Sequence, residues 1–199
     1  VREWITVQTG TVCPEARNVQ LPDALMGDAI RFVACHEVGH SLGLRHNMMG
    51  SWAFPTDSLR SKSFTDRMNS TSSSIMDYAR YNYVAQPEDG VTAITPKIGV
   101  YDKYAIEWGY RWFENSNVEK IALKKLIETH QNDPLYFYGE QQSYLDTVDP
   151  RSQSEDLGDD AVLASEYGMK NLKRVVDNLL TWTAEEGKNY EEAGKLYFG

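Results

Sequence analysis

"HEVGHSLGLRHNMMG", residues His36 to Gly50, gathers three of the chain's four histidines into eleven positions. It closes a longer run, "LPDALMGDAIRFVACHEVGHSLG", in which Pro22 stands at a first helical turn with Asp23 after it. Leu25, Ala29, Val33, His36 and His40 recur at helical spacing and form one stripe. Gly43 lies where a helix most often stops, because glycine tolerates a left-handed backbone. The spacing therefore predicts one helix between Pro22 and the Gly43 turn.

On such a helix His36 and His40, four residues apart, point the same way. Both can offer an imidazole nitrogen to one ion at about 2.0–2.1 Å. A sharp turn at Gly43 lets His46 swing back as a third ligand. Three neutral imidazoles leave the fourth tetrahedral position of a zinc ion to water, the arrangement of a catalytic site and not a structural one. Zinc lowers the pKa of such a water from about 15.7 toward 7. Glu37, rotated away from the histidine pair, would sit over the open side and take the proton as general base. The product is a nucleophile suited to an amide carbonyl. A bare H-E-x-x-H arises by chance often enough to mean little. Here the pattern is H-E-x-x-H-x-x-G-x-x-H, on a segment whose periodicity independently says helix.

The rest of the chain bounds the reading. With 199 residues, 41% of them hydrophobic and 12% aromatic, it has ample core material. A net charge of −9 argues against nucleic acid and anionic membranes, which select basic surfaces. No apolar run approaches the roughly 18 residues that span a bilayer. Cys13 and Cys35 lack metal spacing and read as buried thiols ahead of a disulfide. The opening "EWITVQTG", Glu3 to Gly10, is rich in β-branched residues and predicts a strand. Residues 50–75 read as loop, with Ser70–Ser74 a short linker-like run, and 86–96 as irregular. Helices are predicted at Tyr101–Phe113, at Val118–His130 and in a long C-terminal segment. In the last, Leu172, Val175, Val176, Leu179 and Leu180 make an apolar stripe. The acidic stretch Asp146–Asp160 lacks calcium-loop spacing and reads as a solvated loop capping that helix.

"HEVGHSLGLRH" resembles the extended zinc motif of the metzincin clan of metallopeptidases, and "SIMDY", Ser74 to Tyr78, is similar to that clan's Met-turn. The resemblance implies His36, His40 and His46 as ligands of one catalytic zinc, Glu37 as general base, Met76 beneath the metal and Tyr78 assisting the oxyanion. It also implies a specificity-pocket wall near Tyr81 and Tyr83, for which an aromatic core stripe is an equal alternative. Asn47 follows the third histidine, a position that varies between branches of the clan. "GVYDKYAIEWGY" and "EDLGDDAVLASEYGMKNLKRV" look similar to the large metzincin-like zinc-dependent peptidases of Bacteroidetes, which implies a secreted, periplasmic or cell-surface protein.

The fold expectation is an α+β metzincin-like catalytic domain, predominantly helical here. Its upstream substrate-pairing sheet is expected to lie outside this sequence. The catalytic region would cover residues 1–115, with a helical subdomain at 116–199 packed on it. The function expected is a zinc-dependent endopeptidase acting on peptide or protein. The alternatives are a zinc amidase on a non-peptide or cell-wall amide, and a non-cleaving binding module that retains the metal.

Overall fold

The computed structural model describes residues 2–142 and 149–198. Within them the chain runs through seven helices: α1 (Arg2–Thr9), α2 (Asp23–Ser41), α3 (Lys62–Met68), α4 (Val100–Tyr110), α5 (Ser116–His130), α6 (Ala161–Thr183) and α7 (Glu191–Phe198). Short 3₁₀ turns occur at Pro14–Arg17, Thr56–Arg60, Pro87–Asp89 and Pro134–Tyr136. No strand occurs among the described residues, so the α+β expectation holds only in its helical part.

The predicted strand at Glu3–Gly10 is therefore corrected to helix α1. Its β-branched residues argue for a strand locally, but Ile5, Thr6 and Thr9 are buried at helical spacing against α6, α7 and the Pro14 turn. The buried hydroxyls bond back to carbonyls, Thr9 Oγ1 to Ile5 O at 2.6 Å and Thr6 Oγ1 to Ala16 O at 2.7 Å. That satisfies polar groups which would otherwise be costly to bury, and tertiary packing overrides the intrinsic preference.

Helix α2 spans the predicted run, and Gly43 has φ +84 just beyond it. Its buried line is Ala29, His36 and Gly39, whereas Val33 and His40 of the expected stripe face outward. Similarly, α6 buries Val175 and Leu179 and leaves Leu172, Val176 and Leu180 exposed. Asp160 caps α6, accepting from the amides of Val162 and Leu163 at 3.1 and 3.0 Å, as expected of the acidic stretch. Residues 146–148 of that stretch lie outside the described residues. Asn115 caps α5 in the same way.

The largest apolar cluster joins Ala53, Phe54, Leu59, Ala79, Val84, Leu157 and Ala164, with Phe64 edge-on to Phe54 at 5.1 Å. A second gathers Ile5, Ala16, Leu21, Ala29 and Tyr81. Tyr81 meets Phe32 edge-on in that core, and Tyr83 packs against the first cluster. Cys13 and Cys35 are unbonded and half-buried.

The loop expected at 50–75 contains α3 and a 3₁₀ turn, and Ser70–Ser74 is no linker but wholly buried. Hydroxyls there replace the regular ladder. Ser70 Oγ accepts from Lys97 N at 2.9 Å, Thr71 Oγ1 donates to Arg80 O at 3.1 Å, and Ser74 Oγ donates to Asp102 Oδ1 at 2.7 Å.

Candidate metal centre

The C-terminal half of α2 presents His36 and His40, and the turn at Gly43 returns the chain so that His46 faces them. His40 Nε2 and His46 Nε2 lie 3.1 Å apart, and one ring nitrogen from each of the three histidines falls within 4.8 Å of the others. Donors around a tetrahedral zinc at 2.0–2.1 Å stand about 3.4 Å from one another, so the set needs little movement to close on an ion.

The outer nitrogens reinforce the fit. His36 Nδ1 lies 2.8 Å from Ile75 O, and His40 Nδ1 lies 2.9 Å from Leu44 O. A carbonyl can only accept, so each Nδ1 carries a proton, and in the neutral ring that tautomer leaves Nε2 with a bare lone pair for a metal. Burial, then the neighbouring His36 and His40, hold His46 below its ordinary pKa, which favours the neutral ligating form. The donor set suits zinc: three imidazoles, no carboxylate among them.

Glu37 is exposed beside His36 and borders a cavity of about 250 Å³ with Trp4, Phe32, Val33, Tyr78 and Arg80. The Tyr78 ring centroid is 4.5 Å from that of His46 and 5.5 Å from that of His36, so the phenol belongs to the same cluster. Met76 is fully buried in the turn that follows the serine run. A Cβ on Gly39 would overlap Met76 Sδ, so the methionine packs directly on the α2 backbone between His36 and His40. The structure thus brings His36, Glu37, His40, His46, Met76 and Tyr78 into one neighbourhood.

Sequence marked Asn47 only as a position that varies between branches and did not single out Arg80 or Glu155. Asn47 is fully buried and ties three segments together. Its amide donates to Met76 O at 3.0 Å, its Nδ2 to Phe137 O at 2.9 Å, and its Oδ1 accepts from Gly139 N at 3.0 Å. Arg80 stacks on Trp4 at 4.1 Å and pairs with Glu155, whose amide donates to Tyr78 O at 3.2 Å. Glu155 holds φ +75, an uncommon backbone for a residue with a side chain. The acidic stretch therefore lies partly against the cavity beside the histidines and is not simply solvated.

Beneath them sits a second polar centre. Asp77 Oδ2 accepts from Ser51 N at 2.5 Å, and Ser51 Oγ donates to Asp156 Oδ1 at 3.1 Å. Burial pushes the Asp77 carboxyl well above its ordinary range and Asp156 up to about 6. A raised carboxyl pKa means that the folded chain holds its proton longer than the unfolded one. The folded state therefore loses stability as pH rises from about 4 through 6. Asp156→Asn is expected to gain stability over the parent across that interval, by on the order of 2 kcal/mol near pH 7, with no gain at pH 4. Denaturant melts of both proteins at matched pH check this, and the pairing cancels the opposite contribution of His46. A gain independent of pH would refute it.

No described helix is long and apolar enough to cross a membrane. No curated protein and no solved structure gives a significant match to the chain. A family model described as Met-zincin matches residues 18–198, a span that takes in α2, all three clustered histidines and the Met76 turn. With nine-tenths of its length under that match and a histidine triad able to hold a metal ion, the chain belongs to the Met-zincin family.

Proposed function

We propose that the chain is a zinc-dependent endopeptidase in which His36, His40 and His46 hold the ion, Glu37 is the general base and Tyr78 assists the oxyanion. The observation that carries the reading is the convergence of three imidazoles, two of them fixed in the ligating tautomer by carbonyls of Ile75 and Leu44. A zinc ion held there supplies Lewis acidity, which makes a water acidic enough to attack a peptide carbonyl near neutral pH.

The chain's own groups would do the rest. Glu37, exposed and next to His36, accepts the proton of the attacking water and returns it to the departing amine. Tyr78, beside His46, donates a hydrogen bond to the carbonyl oxygen as it becomes negative. The turn at Met76 takes the Met-turn role, a buried floor that keeps α2 and the His46 loop in register. The 250 Å³ cavity beside Glu37 receives a substrate side chain next to the scissile bond. Trp4, Phe32 and Val33 give it apolar walls, and the Arg80–Glu155 pair stands at its edge.

The test is mass-spectrometric cleavage profiling of a diverse peptide library with zinc-loaded protein, using Glu37→Gln as the blank. Cuts absent from the blank, with a large apolar residue enriched at one position beside the cut, are the expected result. Zinc-bound protein that cuts nothing would overturn the peptidase and leave the amidase or the binding module.

A further inference from the structure

The sequence "GVYDKY" at the start of α4 has no part in the chemistry above, yet it makes three short polar contacts near the histidines. Asp102, the third residue of α4, is 3% exposed and accepts three hydrogen bonds of 2.7 Å each. One comes from Gly99 N, an ordinary helix-start bond. The other two leave the helix, from Ser74 Oγ to Oδ1 and from Ile75 N to Oδ2. Ser74 Oγ in turn accepts from Met76 N at 3.1 Å. One carboxylate therefore anchors the amides of both Ile75 and Met76.

The peptide unit between Ile75 and Met76 carries this contact onward. Its N–H, that of Met76, donates to Ser74 Oγ, whose own proton goes to Asp102, and its carbonyl, that of Ile75, lies 2.8 Å from His36 Nδ1. Hydrogen bonds on the two ends of a peptide unit polarise each other, so a negative charge relayed by the hydroxyl to the N–H end makes the carbonyl a stronger acceptor. A stronger acceptor fixes the Nδ1–H tautomer and raises the basicity of Nε2, as a carboxylate does when it bonds a metal-ligating histidine directly. The apposition is close enough to require glycine. A Cβ on Gly99 would overlap the Ser73 carbonyl, and Tyr101 N donates to that same carbonyl at 3.0 Å. The start of α4 is thus clamped onto residues 73–76.

We propose that Asp102 is a positioning residue for the metal centre, acting through Ser74 and the Ile75–Met76 peptide unit to orient His36 and to strengthen it as a ligand. The inference rests on the zinc reading above but not on peptide cleavage, so a chain that binds zinc and cuts nothing leaves it standing.

The test is zinc affinity, measured by competition with a chromophoric chelator, together with the visible spectrum of the cobalt-substituted protein. Asp102→Asn keeps the shape and one acceptor oxygen but loses the charge. It is expected to weaken zinc binding by about 10-fold or more and to change the cobalt bands. In the metal-free variant, nitrogen NMR of the His36 ring is expected to show mixed tautomers in place of one. Leu59→Ala, a core truncation away from the histidines, controls for lost stability and is expected to keep parental affinity. Folded Asp102→Asn with unchanged zinc affinity and cobalt spectrum overturns the proposal, whatever its melting temperature. Should Asp102→Asn not fold, Ser74→Ala, which removes one anchor of the carboxylate, is read in the same titration. A loss of a few-fold supports the proposal and parental affinity overturns it.

Discussion

Glu37→Gln is expected to lower peptide cleavage by about 10²–10⁴-fold while zinc stays bound. The side chain is exposed and makes no ion pair among the described residues, so its replacement by a near-isostere should not disturb α2. His46 feels the Glu37 charge only weakly, behind burial and the two other histidines, so the ligand set should persist. On the mechanism proposed, the variant binds peptide and metal but cannot accept the water's proton. Turnover would fall far more than affinity, with kcat reduced and KM little changed. Steady-state rates on a peptide found by profiling, with metal content determined on the same sample, check this. Full activity in zinc-loaded Glu37→Gln would remove Glu37 from the chemistry and require another base.

The second large effect concerns folding. Met76 is fully buried, and its sulfur occupies the space that a side chain on Gly39 would need. Met76→Ala opens a cavity directly beneath the histidines and is expected to cost about 3 kcal/mol. For a chain of this size that corresponds to a fall in melting temperature of roughly 6–12 °C. Met76→Leu, which conserves volume, should cost less than about 1.5 kcal/mol. Gly39→Ala alone forces Met76 to move, whereas Gly39→Ala together with Met76→Ala places a methyl group in the space just vacated. The double variant is therefore expected to be more stable than the sum of the two single losses. Thermal melts of the four proteins measure that coupling, and strict additivity would show that the two residues do not share one space.

The helical repeat of α2, its stop at Gly43 and the five fixed identities of the histidine motif are local in sequence. One helix of 3.6 residues per turn places His36 beside His40 whatever surrounds it. Those features were legible directly, as was the presence of α4, α5 and α6, although α4 begins at Val100 and α5 at Ser116, ahead of the expected Tyr101 and Val118. Tyr78 was named only through the resemblance of "SIMDY" to a Met-turn, and its ring lies 4.5 Å from that of His46.

What the sequence could not decide was every feature set by distant partners. The opening residues are β-branched and read as a strand, but α6 and α7 lie against them and the burial of Ile5, Thr6 and Thr9 selects a helix. A serine run reads as solvated until Lys97, Arg80 and Asp102 arrive to bond its hydroxyls. The contacts from Asn47 to Phe137 and Gly139, and the approach of Glu155 to Tyr78, span long separations that no periodicity records. Local sequence alone was thus enough for the helix carrying His36 and His40 and for the three histidines that converge beside it. Packing across the chain was needed to set which carbonyls face the imidazoles, which carboxylate anchors the Ile75 and Met76 amides and what walls the neighbouring cavity. The reason is physical: a polar side chain is compatible with water or with a buried partner, and only the packed chain supplies the partner.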